Sequence, residues 1–338
     1  MNINLSDSLG QNLIINPSMD IAQRGTSFTG ITTLTYTLDR WWVNHSGPYS
    51  FGVDRVADVP SWSQSTYSLK VTNQTASTAS TTAFGHLSQS IEGYNIRRLR
   101  SKKSVLSFSV KASKAGIYTA FFVNELQDVR MTKAFTIHNA NTWEKKVIKL
   151  PIINEALGTG FKFDNSIGLQ VHFALISGST YIAANEDWSV QTSVGAPTHN
   201  VDFGDTVGNT FQVTDVALHE GIEEIPFEKM VRDYPKELQL CYRYYFSMSK
   251  NVDTVGSPYN NFSTKQFAHH IVRKFPVTMR VTPSVSFTLF VSGSTNVTGF
   301  YYSFETNDNY FHIRNGAGSG SYAAAGDLYL SANADAEL

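Results

Sequence analysis

Apolar and polar residues alternate along most of the chain, the signature of strands with one buried face. The clearest run sets Ile167, Leu169, Val171, Phe173 and Leu175 against Gly168, Gln170, His172, Ala174 and Ile176. In a second run Leu106, Phe108 and Val110 face one way and Ser107, Ser109 and Lys111 the other. The same pattern predicts strands over 67–72, 117–123, 145–150 and 211–218. In the last, the apolar positions slip from Phe211 and Val213 to Val216 and Leu218, which predicts a β-bulge. Stretches rich in Ser, Thr, Asn and Gly, notably 73–82 and 193–210, separate these runs.

The alternation breaks around 227–246. There Pro235 can open a short helix, and Glu237, Leu238, Leu240, Cys241 and Tyr244 follow at roughly helical spacing. It resumes with Val285, Phe287, Leu289 and Val291, then at 300–304, 310–314 and 328–330, with Gly316, Gly318 and Gly320 marking a loop between the last two. The expected organisation is all-β: an N-terminal arm (1–10), a larger β-sandwich (11–228), a short helical linker (229–246) and a smaller C-terminal β-sandwich (247–338).

Composition narrows the function classes. Charged residues make up 16% of the 338 residues, against about 25% in an average soluble protein, while aromatics reach 13%. Lys and Arg number 27 against 28 Asp and Glu, a net charge of −1. Tight binding to nucleic-acid phosphates needs a basic stripe, and with none evident no nucleic-acid partner is expected. The single Cys241 permits no intrachain disulfide, and its aromatic surroundings point to a buried thiol. The first ten residues lack the basic and apolar regions of a signal peptide. No stretch approaches the roughly 18 apolar residues of a membrane span, so neither Sec export nor membrane insertion is expected.

Candidate chemistry is sparse. His269 and His270 are adjacent, so on a strand they point to opposite faces and cannot chelate one metal together. His86 and His172 read as surface or cross-strand hydrogen-bonding residues. Glu220, Glu223 and Glu224 read as a solvated turn before Pro226 rather than an acid and base pair. Asp202, Asp205, Asp253 and Asp308 lack the spacing of a calcium loop, although loop carbonyls holding one calcium leave no trace in a sequence. Phosphate loops, nucleophile elbows and zinc spacings are missing, so no catalytic residue, metal ligand or cofactor is assigned and no enzyme is expected.

Aromatic residues in polar loops give a better lead. A sugar presents an apolar C–H face beside hydroxyls, so its site needs a flat ring edged by amides, carboxylates or hydroxyls. Trp62 lies in Pro60-Ser61-Trp62-Ser63-Gln64, Trp188 follows Asn185, Glu186 and Asp187, and Tyr259 sits between Pro258 and Asn260. These three are the candidate glycan-binding residues.

Several segments, taken together and in order, resemble a known family. They are Asn12-Leu13-Ile14-Ile15-Asn16, Gln23-Arg24-Gly25, Asp39-Arg40-Trp41, Gln89-Ser90-Ile91-Glu92-Gly93, Asn141-Thr142-Trp143-Glu144, Pro226-Phe227-Glu228 and the run from Glu237 to Tyr245. The set is similar to tail-fibre and appendage proteins of bacteriophages that carry a carbohydrate-binding-module-like jelly roll. Ala22, His219, Glu220 and Tyr242 depart from the family pattern. The resemblance implies that the 11–228 domain is a jelly roll, that these motifs are scaffold, and that the chain attaches to a virion.

The leading expectation is a non-enzymatic, tail-fibre-like or appendage subunit of a phage virion, assembled in the host cytoplasm, that binds other virion proteins and a host cell-surface glycan. A homotrimer is expected, with Phe290 opposite the apolar face of its strand as a modest hint. Two alternatives stand beside it. One is an architectural head-fibre, neck or capsid-decoration protein whose jelly roll binds virion proteins. The other is a polysaccharide depolymerase using carboxylates such as Glu92, Glu125 or Asp128.

Overall fold

The computed structural model describes residues 11–158, 160–253, 270–291, 301–316 and 328–338. Contacts divide the chain into two compact units, 1–238 together with 338, and 239–337. The first contains β1 (Ser27–Ile31), β2 (Thr35–Tyr36), β3 (Trp41–Ser46), β4 (Phe51–Val56), β5 (Ser68–Asn73), β6 (Phe84–Glu92), β7 (Ser104–Ala112), β8 (Gly116–Val123), β9 (Val129–Ile137), β10 (Glu144–Leu150), β11 (Ile167–Ser177), β12 (Ser189–Val190) and β13 (Thr210–Glu220). A single helical turn, α1 (Gly93–Ile96), follows β6.

The fold is a jelly-roll-like β-sandwich. One sheet has six strands in the order β1-β4-β5-β13-β7-β10, and the other has seven in the order β12-β9-β8-β11-β6-β3-β2. The chain changes sheet at six of the eight connections from β3 to β11, and only β4–β5 and β8–β9 pair as sequence neighbours among these. Phe108, Phe211 and Val213 from the six-stranded sheet meet Trp41, Leu87, Phe122, Val171 and Phe173 from the seven-stranded one in a continuous core. The alternation of β11 holds through Phe173. A register shift between Ala174 and Ile176 then turns both Leu175 and Ile176 toward the core, contrary to the placement of Ile176 on the polar side. In β13 the bulge falls where the apolar positions slip, between Thr214 and Ala217, with Asp215 at φ 54°.

A buried polar network ties residues 12–40 to the sheets of this unit. The Gln89 side chain brackets Ile15, accepting from its N–H at 2.8 Å and donating to its carbonyl at 2.8 Å. Asn12 donates to Val216 O and accepts from Leu218 N, and Asn16 accepts from Ile21 N. Asp39 accepts from the backbone and side chain of Gln23, and Arg40 donates to Ser90 O. Burial, the largest influence on Asp39, pushes its carboxyl above the ordinary value despite those bonds. These are residues of the family-like motifs, and they are used here as scaffold.

The α-helix α2 (Tyr234–Tyr242) carries Pro235 in its first turn and the buried Cys241. The second unit holds two three-stranded sheets. One is β14 (Tyr245–Asp253), β19 (Leu328–Asp335) and β16 (Ser284–Val291) in that order; the other is β15 (His270–Lys274), β18 (Tyr310–Gly316) and β17 (Tyr301–Thr306). Met248, Ala332 and Ala334 pack with Phe275, Met279 and Phe311 between them. Arg243 donates to Thr278 O. Phe290 belongs to β16, but its side chain lies outside the described residues. Among the described residues no helix is long and apolar enough to cross a membrane.

Candidate functional site

Trp62 is brought to a site by the loop between β4 and β5. Pro60 O accepts from Ser63 N at 3.0 Å, and Ser63 Oγ accepts from Ser65 N at 2.9 Å, which closes the loop into two small turns. The hydroxyls of Ser63 and Ser65 both donate to Asp215 Oδ1 at 2.6 Å, and Ser109 donates to Asp215 Oδ2 at 2.9 Å. Asp215 can serve three hydroxyls because the bulge of β13 places it in the left-handed region, which Asp tolerates better than most residues. With its serines bound to the sheet, the loop leaves the Trp62 indole 53% exposed.

Trp62 borders a cleft of about 230 Å³ together with Gln64, Ser109, Lys145, Asp215 and Glu228. That is smaller than the roughly 300–1,000 Å³ of an enclosing ligand pocket, and suits one ring seated on the indole better than a swallowed chain. Lys145 is paired with Glu224 at 2.5 Å. Further along the same outer face, Asp58 receives Lys111, the Trp143 indole N–H at 3.1 Å and Gln212 at 3.2 Å. Burial opposes ionisation of Asp58, but these donors outweigh it and hold the carboxyl below its ordinary value.

The other sequence candidates do not join this cleft. Trp188 is a half-buried ring packed against the sandwich core, edge-on to Phe161 at 5.6 Å between centroids. Tyr259 lies outside the described residues, as does His269. Glu92 is buried at the end of β6, while Glu125 and Asp128 share the β8–β9 turn, where Asp128 accepts from Asn124 at 2.7 Å; none of the three lines the cleft. Glu220, Glu223 and Glu224 pair separately with Lys102, Lys149 and Lys145 at 2.8, 2.6 and 2.5 Å. Asp202 caps the turn at Gly204, and Asp205 pairs with Lys114 at 2.5 Å. Among the described residues no three His, Cys, Asp or Glu side chains are grouped to hold a metal ion.

His86 and His172 are cross-strand partners as expected, but they are buried rather than at the surface. Ser88 Oγ lies 2.8 Å from His86 Nδ1 and 2.6 Å from His172 Nδ1. The hydroxyl has a single proton and can donate to only one of the two imidazoles, so at least one of them donates its Nδ1–H to Ser88 Oγ. Phe121 stacks on His172 at 4.1 Å, and Trp42 meets both histidines edge-on. Burial first, then Arg130 and His45, lowers His86 to about 3. Burial first, then His86 and Arg130, holds His172 well below its ordinary value.

Two features escaped the sequence reading. Asp215 is the residue that the predicted bulge turns outward, so the slip in alternation was its signal. Arg97-Arg98-Leu99-Arg100-Ser101-Lys102-Lys103 is a basic run that near-zero net charge concealed.

No protein-family model and no curated protein matches the chain. Among solved structures it is similar to the enzymatically active domain of tailspike protein 4 of bacteriophage CBA120, at 12% identity and TM-score 0.32 over 62% of this chain and 21% of that one. The chain therefore spans about a fifth of the length of that domain. It is also similar to a family 11 carbohydrate-binding module of a cellulosomal cellulase of Clostridium thermocellum, at 12% identity and TM-score 0.32 over 57% of this chain and 98% of the module. A third likeness is to TmCBM61 in complex with β-1,4-galactotriose, at 14% identity and TM-score 0.32 over 62% and 99%. TM-scores this low carry neither a ligand nor a role across to this chain.

Proposed function

We propose that this chain is a non-enzymatic glycan-binding subunit of a bacteriophage virion appendage, with Trp62 as its stacking platform. The observation that carries the reading is an indole held half in water by a pinned loop, beside buried Asp215 and the side chains of Gln64, Lys145 and Glu228. A large exposed ring is informative where polar groups converge on it. A pyranose laid on that ring would find hydroxyl partners in the amide, ammonium and carboxylate groups at its edge. The ordered motifs that resemble phage fibre proteins support the virion setting. A homotrimeric appendage would present several such shallow sites at once, so weak single-site binding would suffice.

The full chain on an array of bacterial surface glycans tests this. Binding to a subset of glycans, reduced at least tenfold in Trp62→Ala with the fold intact by circular dichroism, is the expected result. An array without signal, or a Trp62→Ala variant that binds as the parent does, overturns the reading. In that case binding to virion proteins, the architectural alternative, is the next measurement.

A further inference from the structure

The basic run 97–103 is not a disordered tail of charge. Gly93 begins α1 where any side chain would collide with Lys162 O at 2.6 Å, so the backbone of β6 can turn tightly against the 162–166 segment. Gly93 N donates to Ser166 O and Tyr94 N to Asp164 O, at 2.9 and 2.8 Å. Ile96 and Leu99 are buried in the sandwich core. The residues between these anchors are therefore thrown outward on a short, rigid corner comprising α1 and the 3-10 turn Arg97–Leu99.

That corner carries a ring and a cluster of cations. Tyr94 is 49% exposed, with the Arg97 guanidinium 4.7 Å from its centroid. Arg97 Nε is fixed by Phe163 O at 2.7 Å, and Arg98 Nη2 donates to Gln11 at 2.7 Å. Of the five basic residues in the run, two are neutralised within the described residues: Arg100 by Glu155 and Lys102 by Glu220. Arg97, Arg98 and Lys103 keep a local positive excess on a chain whose net charge is −1. Arg100 already displays the contact such a surface makes, holding Glu155 through two parallel bonds of 3.1 and 2.9 Å.

We infer that Tyr94, Arg97 and Arg98 form a second saccharide subsite that selects carboxylate-bearing sugars. A uronic or sialic acid residue combines an apolar ring face, which the tyrosine receives, with a planar pair of oxygens, which a guanidinium fork matches. Three basic residues without a carboxylate partner among the described residues are too few for tight binding to a duplex, which engages roughly 6–10 phosphates. The inference rests on the chain being a glycan binder, and it names the class of glycan.

The test compares binding of the full chain to polygalacturonate, hyaluronate and polysialate, each against its carboxyl-reduced form. At least one acid form should bind about tenfold or more tightly than its reduced form, with affinity falling as sodium chloride is raised. The Arg97→Gln/Arg98→Gln variant should abolish that preference while leaving Trp62-dependent binding of neutral glycans unchanged. Tyr94→Ala should weaken the acid form as well. Equal binding of acid and reduced forms, a preference that survives the double variant, or tighter binding to duplex DNA than to any of the three polymers overturns the inference. Neutral binding lost in Trp62→Ala without any acid preference removes this inference alone; absence of all glycan binding removes the reading beneath it too.

Discussion

The two outer faces of the larger sandwich start from the same alternation and end differently. On the seven-stranded sheet, Trp42, His86, Ser88, Phe121 and His172 are all buried. Part of that face is roofed by the 178–200 segment, through bonds from Thr132 to Asn185 O, Arg130 to Thr192 O and Ala196 N to Thr119 Oγ1. On the six-stranded sheet the outward positions are Lys111, Lys145, Lys149 and Gln212, matched by carboxylates, and the loop over them leaves Trp62 in water. A strand's period decides which side chains face outward. The covering loop decides whether that face becomes a second, neutral interior or a charged surface able to take a ligand.

Acid should break the comparison most completely. An unfolded histidine takes up its proton near pH 6.5, whereas His86 in the fold does so only near 3 and His199, lowered by burial, only near 4. The unfolded chain therefore binds more protons in between, so stability is complete above about pH 6.5 and is lost on acidification, by up to about 1.4 kcal/mol per pH unit for each such group. On the six-stranded sheet Asp58 and Glu144 do not add to this loss between pH 6.5 and 4.5, since burial opposes their ionisation but donated hydrogen bonds outweigh it and hold both below their ordinary values. The unfolding midpoint of the larger unit should fall across that window, and His86→Gln/His172→Gln should flatten the slope. A midpoint flat from pH 6.5 to 4.5 in the parent would show that the histidines are not enclosed.

Side-chain truncation sharpens the same contrast. Phe121 stacks on His172 and packs with Ala174 and Val194, so Phe121→Ala should cost about 3–5 kcal/mol. Trp143 on the other sheet contributes one hydrogen bond to Asp58 from a half-exposed ring, and Trp143→Ala should cost about 1 kcal/mol. Urea denaturation of the two variants measures the difference. Equal losses would mean that the two faces are equally closed.

Asp215→Ala lies next in size. It leaves the hydroxyls of Ser63, Ser65 and Ser109 without their acceptor, at a cost of about 1–3 kcal/mol, and releases the loop that carries Trp62. Asp215→Asn keeps an acceptor and a residue that tolerates positive φ, so it should lose less in the same denaturation. If Asp215→Ala matches the parent in stability and glycan binding, the bulge carboxylate does not position the loop.

Much of this architecture was legible as pattern. The strands at β7, β8, β10, β11 and β13 follow from alternation, and the bulge from its slip. β6 was missed as a strand because Gln89 occupies an inward position, where it serves Ile15 rather than the core. In β9 the apolar series of Val129, Met131, Phe135 and Ile137 is broken by Lys133. Of the candidate site, the setting of Trp62 as a ring in a polar loop was legible from composition. Asp215 and Lys145 were not, because they lie far from it in sequence and meet it only through strand order. The same composition around Trp188 gave a packed ring, since what separates the two is which loop folds inward.

The smallest effect expected on the six-stranded face is at Lys149. Its Nζ lies 2.6 Å from Glu223, but the two side chains are 59% and 75% exposed. Water screens an ion pair so placed, and ordering two long side chains offsets much of what remains. Lys149→Met should therefore change stability by under about 0.5 kcal/mol, read as a thermal midpoint shift of less than about 2 °C. A larger loss, disappearing at 1 M sodium chloride, would mean that the paired lysines of β10 act as a clasp holding the 220–225 turn against the sheet. The charged outer face would then be as cooperative as the buried one.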